Sequence, residues 1–127
     1  MVKNIPTILI ADRNPYVRRL LQRELTNAGY EVLLAENGRQ VLFWIDRHAS
    51  LDLAILDLDL PDTEADTLFE HLRHRIPSIP IVVHSHPDDD MKSLDGNGVY
   101  FVEKKGNSIE GIIQMVGRIL AAGAPAI

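Results

Sequence analysis

Leu53-Ala54-Ile55-Leu56-Asp57-Leu58-Asp59-Leu60-Pro61-Asp62 decides the reading of this chain. A short unbroken apolar run closed by a turn signal has the pattern of a strand buried on both faces. The run ends in a carboxylate, Asp57. Residues at the ends of such strands lie along the carboxyl edge of a sheet, where open α/β sheets bind ligands and carry out chemistry. A second run of the same kind, Thr7-Ile8-Leu9-Ile10-Ala11, ends in Asp12. Two aspartates ending two buried strands point to one acidic site.

Working outward, strand and helix patterns alternate. Asn14 suits a helix N-cap and Pro15 the first helical position. Val17, Leu20, Leu21 and Leu25 follow with helical spacing, and Gly29 stops the helix. Glu31 to Ala35 reads as a second strand, Arg39 to His48 as a second helix, and Leu53 to Asp57 as the third strand. A third helix spans about Glu64 to Arg75, with Leu68, Phe69 and Leu72 inward. Ile81 to His84 is the fourth strand and Val99 to Val102 the fifth. Ser108 is expected to cap a last helix whose Ile109, Ile112, Ile113, Val116 and Leu120 form one apolar stripe. Strands alternating with helices predict a doubly wound five-stranded parallel sheet covered on both faces. Between strands four and five, Pro87 to Gly98 offers only Met91 and Leu94 as apolar anchors. A short or degenerate fourth helix is expected there, with Asp88, Asp89 and Asp90 as its solvated start.

The chain has 127 residues, 46% of them hydrophobic and 24% charged, which fits one soluble domain. Its net charge of -5 and lack of a Lys/Arg stripe argue against a nucleic-acid surface. Without cysteine there is no thiol catalysis, disulfide or cysteine-based zinc site. No signal-peptide pattern or membrane-length apolar segment occurs, so a cytoplasmic setting and no membrane partner are expected. The domain is read as residues 1–122, with 123–127 a tail or the start of a linker. His84 and His86 are spaced like metal ligands, but no third ligand accompanies them, and no metal role is expected. Phe43-Trp44 sits in an apolar run, Val41 to Ile45, too continuous for a helix to bury on one sheet. One of these aromatics is expected at solvent or at a partner interface.

The order of motifs resembles the receiver domain of two-component response regulators over nearly the whole chain. The match rests on Asp12 after strand one, Ala35-Glu36-Asn37-Gly38 before helix two, and Asp57 with Leu60-Pro61 after strand three. It continues with Ser85 ending Val82-Val83-His84-Ser85, and with Phe101-Val102-Glu103-Lys104. The resemblance implies flavodoxin-like strand order 2-1-3-4-5. It implies Asp57 as phosphoacceptor, Asp12 in the acidic pocket, Ser85 and Lys104 as phosphate contacts, and Phe101 as the switch aromatic. Its partners would be a histidine kinase or phosphotransfer protein and a downstream effector domain or protein. It implies a signalling module, not an enzyme.

Departures from the family pattern qualify the site. Arg13 stands where a second acidic residue, a direct magnesium ligand, is usual. That leaves Asp12, Asp57 and the backbone of Asp59 to hold any metal. Exchanging an anion for a cation roughly 6 Å from a divalent ion costs up to about 10 kcal/mol at an effective dielectric of about 20, less if Arg13 swings to solvent. Magnesium binding is therefore expected to be weak, and the Arg13 guanidinium is expected within reach of Asp57 or Asp12. Lys105 replaces the proline usual after the lysine. A phosphorylation-independent pseudo-receiver is the alternative reading. Asp57-Leu58-Asp59 also resembles the aspartate pair of haloacid-dehalogenase-like phosphatases, with Asp57 as nucleophile and Asp59 as general acid. That family places the pair on its first strand, which makes an aspartate-nucleophile phosphatase a remote alternative.

Overall fold

The computed structural model describes residues 5–47, 50–62, 65–74, 78–86 and 98–122. Along the chain come β1 (Thr7–Ala11), α1 (Pro15–Asn27), β2 (Glu31–Ala35), α2 (Gly38–Arg47), β3 (Leu51–Leu56), α3 (Ala65–Arg73), β4 (Ile81–Ser85), β5 (Val99–Glu103) and α4 (Ser108–Ala122). The strands form one parallel sheet in the order β2-β1-β3-β4-β5. The short fourth helix expected between strands four and five falls in 87–97, outside the described residues, as does the 123–127 tail. Among the described residues no helix is long and apolar enough to cross a membrane.

Alternation along the central strands builds two cores. Leu9, Ala11, Leu56 and Val83 face α2 and α3, meeting Val41, Ile45, Leu68, Phe69 and Leu72. Ile8, Ile10, Leu53, Ile55 and Val82 face α1 and α4, meeting Leu21, Leu25, Ile112 and Val116. Every residue of β1 and of β4 is buried, which is why these strands read as continuous apolar runs. Each fully buried Leu or Ile contributes about 1.5–3 kcal/mol of transfer free energy.

Local chemistry sets the helix ends. The Asn14 side-chain oxygen accepts from the Tyr16 and Val17 amides at 2.9 and 3.4 Å, ahead of Pro15. Past α1, Gly29 takes φ +100°, a conformation a side chain would strain. Helix α2 begins at Gly38, capped locally by Asn37, whose side-chain oxygen accepts from Gln40 N at 2.9 Å, and also from a distance. Asp62, in the loop after β3, accepts from Gly38 N at 2.6 Å and Arg39 N at 3.1 Å. Phe43 is the solvent-facing aromatic, 45% exposed, with the Arg47 guanidinium 4.2 Å from its ring centroid. Trp44 turns toward the sheet and donates Nε1–H to the Leu34 carbonyl.

Strand β3 starts at Leu51, two residues earlier than its apolar run indicates. The register shifts between Thr7 and Ile8, leaving Asp52 out of line, and the Asp52 carboxylate accepts the Thr7 amide at 2.7 Å. The strand ends at Leu56, which places Asp57 just beyond it. The order reverses at β1 and β3, so their carboxyl ends flank the crevice that such a switch point opens.

Candidate functional site

Asp12 and Asp57 follow β1 and β3, and the β1–β3 register pairs Ala11 with Leu56. The Asp57 amide donates to the Ala11 carbonyl at 2.9 Å, which extends the ladder by one bond and holds the two aspartates side by side. They are 1% and 3% exposed. Two buried carboxylates need compensation. Lys104 supplies part of it, with Nζ 3.2 Å from Asp57 Oδ2 and 3.4 Å from Asp12 Oδ2. Backbone donors supply the rest. The Asp59 amide bonds Asp57 Oδ1 at 3.0 Å, Arg13 N approaches Asp57 Oδ2 at 3.4 Å, and the Asn14 amide bonds Asp12 Oδ1 at 2.9 Å. Burial pushes the Asp12 carboxyl above its ordinary range. The Asn14 amide pulls it back, Asp57 raises it further, and Lys104 lowers it.

Lys104 reaches this position because its amide donates to the Ser85 carbonyl at 2.8 Å, one step past the β4–β5 pairing of Ser85 with Glu103. Ser85 is fully buried at the same sheet edge. Phe101, half-buried on β5, packs against the α2/α3 core.

Arg13 departs from expectation. Its guanidinium does not turn onto Asp57 or Asp12. It pairs with Asp59 at 3.1 Å, and both side chains are 58% exposed. The backbone explains this: the Arg13 amide points at Asp57, so the side chain projects outward to the rim. There an ion pair avoids the desolvation that the inner pocket would impose.

Three contributors escape sequence reasoning. Arg18 donates to the Asp12 carbonyl at 2.7 Å and reaches Glu36 at 3.3 Å, tying α1 to the start of the site. Asp62 links the loop after Asp57 to α2. His84 is buried, with Nδ1 3.9 Å from Asp12 Oδ2 and Nε2 2.9 Å from Ser108 Oγ. Burial, and next the nearby Lys104 charge, lower its pKa to about 4, so it is neutral near pH 7. The one signal for it was a histidine continuing the apolar run Ile81-Val82-Val83. Ser108 does not cap α4 as expected, since its hydroxyl is committed to His84 and to the Lys105 carbonyl. His74, at the other end of the molecule, pairs with Glu70 on the surface.

Among the described residues no group of three or more His, Cys, Asp or Glu is placed to hold a metal. Asp12 and Asp57 are the two carboxylates side by side at this edge, and Lys104 Nζ lies within reach of both. The chemistry available is that of a carboxylate with an ammonium beside it, buried from water.

Comparison with known proteins agrees with this geometry. The sequence model of the response regulator receiver domain matches residues 8–116. The DNA-binding transcriptional regulator NtrC of Bradyrhizobium sp. (strain RP501 Parasponia) is 32% identical over 117 residues, 91% of this chain and 24% of that protein. NtrC of Rhizobium meliloti (strain 1021) is 30% identical over the same shares. The chain thus spans about a quarter of the length of these relatives. A receiver protein from Sinorhizobium medicae shares the fold with a TM-score of 0.83 at 23% identity, covering 94% of this chain and 97% of that one. The response regulator TrrA of Thermotoga maritima, solved with Mg(2+)-BeF, gives 0.76 at 28% identity, covering 91% and 100%. By sequence and by architecture, the chain belongs to the receiver domain family of two-component response regulators.

Proposed function

We propose that this chain, as a domain of residues 1–122, is the phosphoryl-accepting module of a phosphorelay, with Asp57 the acceptor. The observation that carries the reading is Lys104 Nζ, placed 3.2 Å from the Oδ2 of a buried Asp57. An oxygen of the Asp57 carboxylate attacks phosphorus while the bond to the donor's leaving group breaks, giving an acyl phosphate. Lys104 then holds a phosphoryl oxygen, and Ser85, buried at the same sheet edge, is the candidate contact for another. Both act by position and charge, the main currencies of phosphoryl transfer. Asp12, Asp57 and the Asp59 carbonyl would hold magnesium, which neutralises charge on the transferring group. Arg13 supplies no ligand, so the metal is held weakly. Phe101 on β5 serves as the switch aromatic.

The donor is a histidine kinase or phosphotransfer protein. The relatives are longer DNA-binding transcriptional regulators, so the receiver of the signal is an effector domain or protein. Asp59 would have to be the general acid of an aspartate-nucleophile phosphatase, but Arg13 engages its carboxylate, which favours a signalling module over a turnover enzyme.

The test is mass spectrometry after incubation with acetyl phosphate, with and without magnesium. One phosphoryl group on Asp57, lost in Asp57→Asn, is the expected result. Labelling at another carboxylate refutes the site. A second reading, a pseudo-receiver acting through partners alone, is favoured by Arg13, which pairs with Asp59 and brings no carboxylate to the site. Absence of any label establishes it over the first.

A further inference from the structure

Resting on the reading of Asp57 as the reactive carboxylate, we propose that His84 and Ser108 are positioning residues for Lys104. They pin the far end of the loop from which the lysine reaches the two aspartates.

The argument begins with proton bookkeeping. Ser108 Oγ lies 2.8 Å from the Lys105 carbonyl and 2.9 Å from His84 Nε2. A serine hydroxyl has one proton, and a carbonyl can only accept. The proton therefore goes to Lys105 O, and the oxygen can only accept from the imidazole. This assigns the ring proton to Nε2 and leaves Nδ1 a bare acceptor. The assignment agrees with the surroundings of Nδ1, which has no hydrogen-bond partner and faces Asp12 Oδ2, itself an acceptor, across 3.9 Å. The result is a directed chain, from His84 Nε2–H to Ser108 Oγ–H to the carbonyl of Lys105.

The chain's endpoints give it a function. It starts on β4 and ends on the residue after Lys104. The residue after His84 holds the other side, since Ser85 O accepts the Lys104 amide at 2.8 Å. The Ser108 amide adds a bond to Lys105 O at 3.0 Å. Two successive residues of β4, projecting to opposite faces of the sheet, thus fix the backbone on both sides of Lys104. The intervening turn has no packing to do this: Lys105, Gly106 and Asn107 are all exposed. The imidazole is 2% exposed with one nitrogen unsatisfied, a costly residue for a position among apolar neighbours. Its one satisfied nitrogen is the one that reaches the loop.

The test reads the environment of Lys104 itself. Lys104 is half-buried and paired to both aspartates, so acetic anhydride modifies it slowly in the wild type. In Ser108→Ala and in His84→Leu, trace acetylation of Lys104, followed by peptide mass spectrometry, is expected to be about threefold to tenfold faster, the effect of losing one hydrogen bond. In His84→Gln, whose amide N–H can reach the same hydroxyl, it should stay within about twofold of wild type. Exposed Lys105 should acetylate alike in all four proteins and serves as the internal reference. Wild-type acetylation rates at Lys104 in both Ser108→Ala and His84→Leu would overturn the proposal. So would imidazole nitrogen NMR showing the His84 proton on Nδ1. Ser108→Ala removes no buried bulk, and it decides alone if His84→Leu does not fold. Asp57 labelling by acetyl phosphate is measured beside it. A wild type that takes no label refutes the acceptor reading and leaves the Lys104 rates to judge the positioning.

Discussion

Restoring an acid at position 13 tests how the charge of this site controls its metal. Arg13→Asp changes the local charge by two units beside a divalent ion. With the ion roughly 6 Å away and a dielectric of about 20, the Coulomb difference is about 11 kcal/mol. The structure argues for far less. The guanidinium is 58% exposed and paired with Asp59, so its field acts through water. At a dielectric near 80 the same arithmetic gives about 3 kcal/mol, or about a hundredfold in affinity. Loss of the Arg13–Asp59 pair subtracts little, since exposed pairs contribute about 0–1 kcal/mol. Direct ligation by the new carboxylate adds to the gain. Magnesium titration by calorimetry, run on both proteins at one ionic strength, measures the difference. A gain of about a hundredfold is expected, shrinking with added salt. Equal affinities would refute the electrostatic reasoning.

Other perturbations reach the rest of the site. Lys104→Met leaves two buried carboxylates facing each other and should cost about 3 kcal/mol in urea unfolding, most of it recovered on adding Asp57→Asn. His84 has a folded pKa of about 4 against an ordinary 6.5, so the unfolded chain takes up its proton first as pH falls. Its contribution to stability is complete above about pH 6.5 and lost toward pH 4, up to about 3 kcal/mol. Asp12, raised by burial, works the other way and favours the folded state at low pH, so the net slope is smaller than His84 alone would give. Urea midpoints against pH should flatten in His84→Gln. Asp62→Ala removes the bonds to the first two amides of α2 while Asn37 still caps Gln40, and should cost about 1 kcal/mol, with faster amide exchange at Gly38 and Arg39.

The strands themselves, and the placing of Asp12 and Asp57 at one sheet edge, were legible because they rest on local patterns, whereas the order 2-1-3-4-5 came from the family resemblance. Apolar runs buried on both faces announce central parallel strands, and a charge that ends such a run falls at the sheet edge. Asn14 and Pro15 fix the start of α1 in the same local way. Long-range side-chain bonds leave no such trace. The bonds from Gly38 and Arg39 to Asp62, more than twenty residues on, are one case, added to the local cap that Asn37 places on Gln40. Strand β3 starts at Leu51 because Asp52 takes up the register slip with Thr7. The Arg13 guanidinium was expected at Asp57 or Asp12 from its place beside Asp12 and the charge of the site, with no view of the backbone. Its amide faces Asp57, and that backbone orientation sends the side chain to Asp59. His84 was weighed only as a metal ligand, whereas its place in an apolar run was the better clue to a buried hydrogen bond.

The two cations of the site differ in what it takes to move them, and that difference orders any response to phosphoryl transfer. Lys104 holds a buried pair of acids, and withdrawing it would leave both uncompensated, at several kcal/mol. Arg13 holds one exposed acid, at no more than about 1 kcal/mol. A phosphoryl group on Asp57 would bring new negative charge and further acceptor oxygens to the point where Lys104 already sits. Lys104 would follow Asp57 and loosen its hold on Asp12. Asp12 would keep the Asn14 amide and lose its nearest cation, which favours a protonated carboxyl there. Arg13, free to leave Asp59 at small cost, could turn from the rim to a phosphoryl oxygen, where a guanidinium binds well. Were Arg13 to weaken the metal as proposed, the same substitution would leave an exposed cation at the mouth of the pocket, able to offset part of the charge that the metal would otherwise carry.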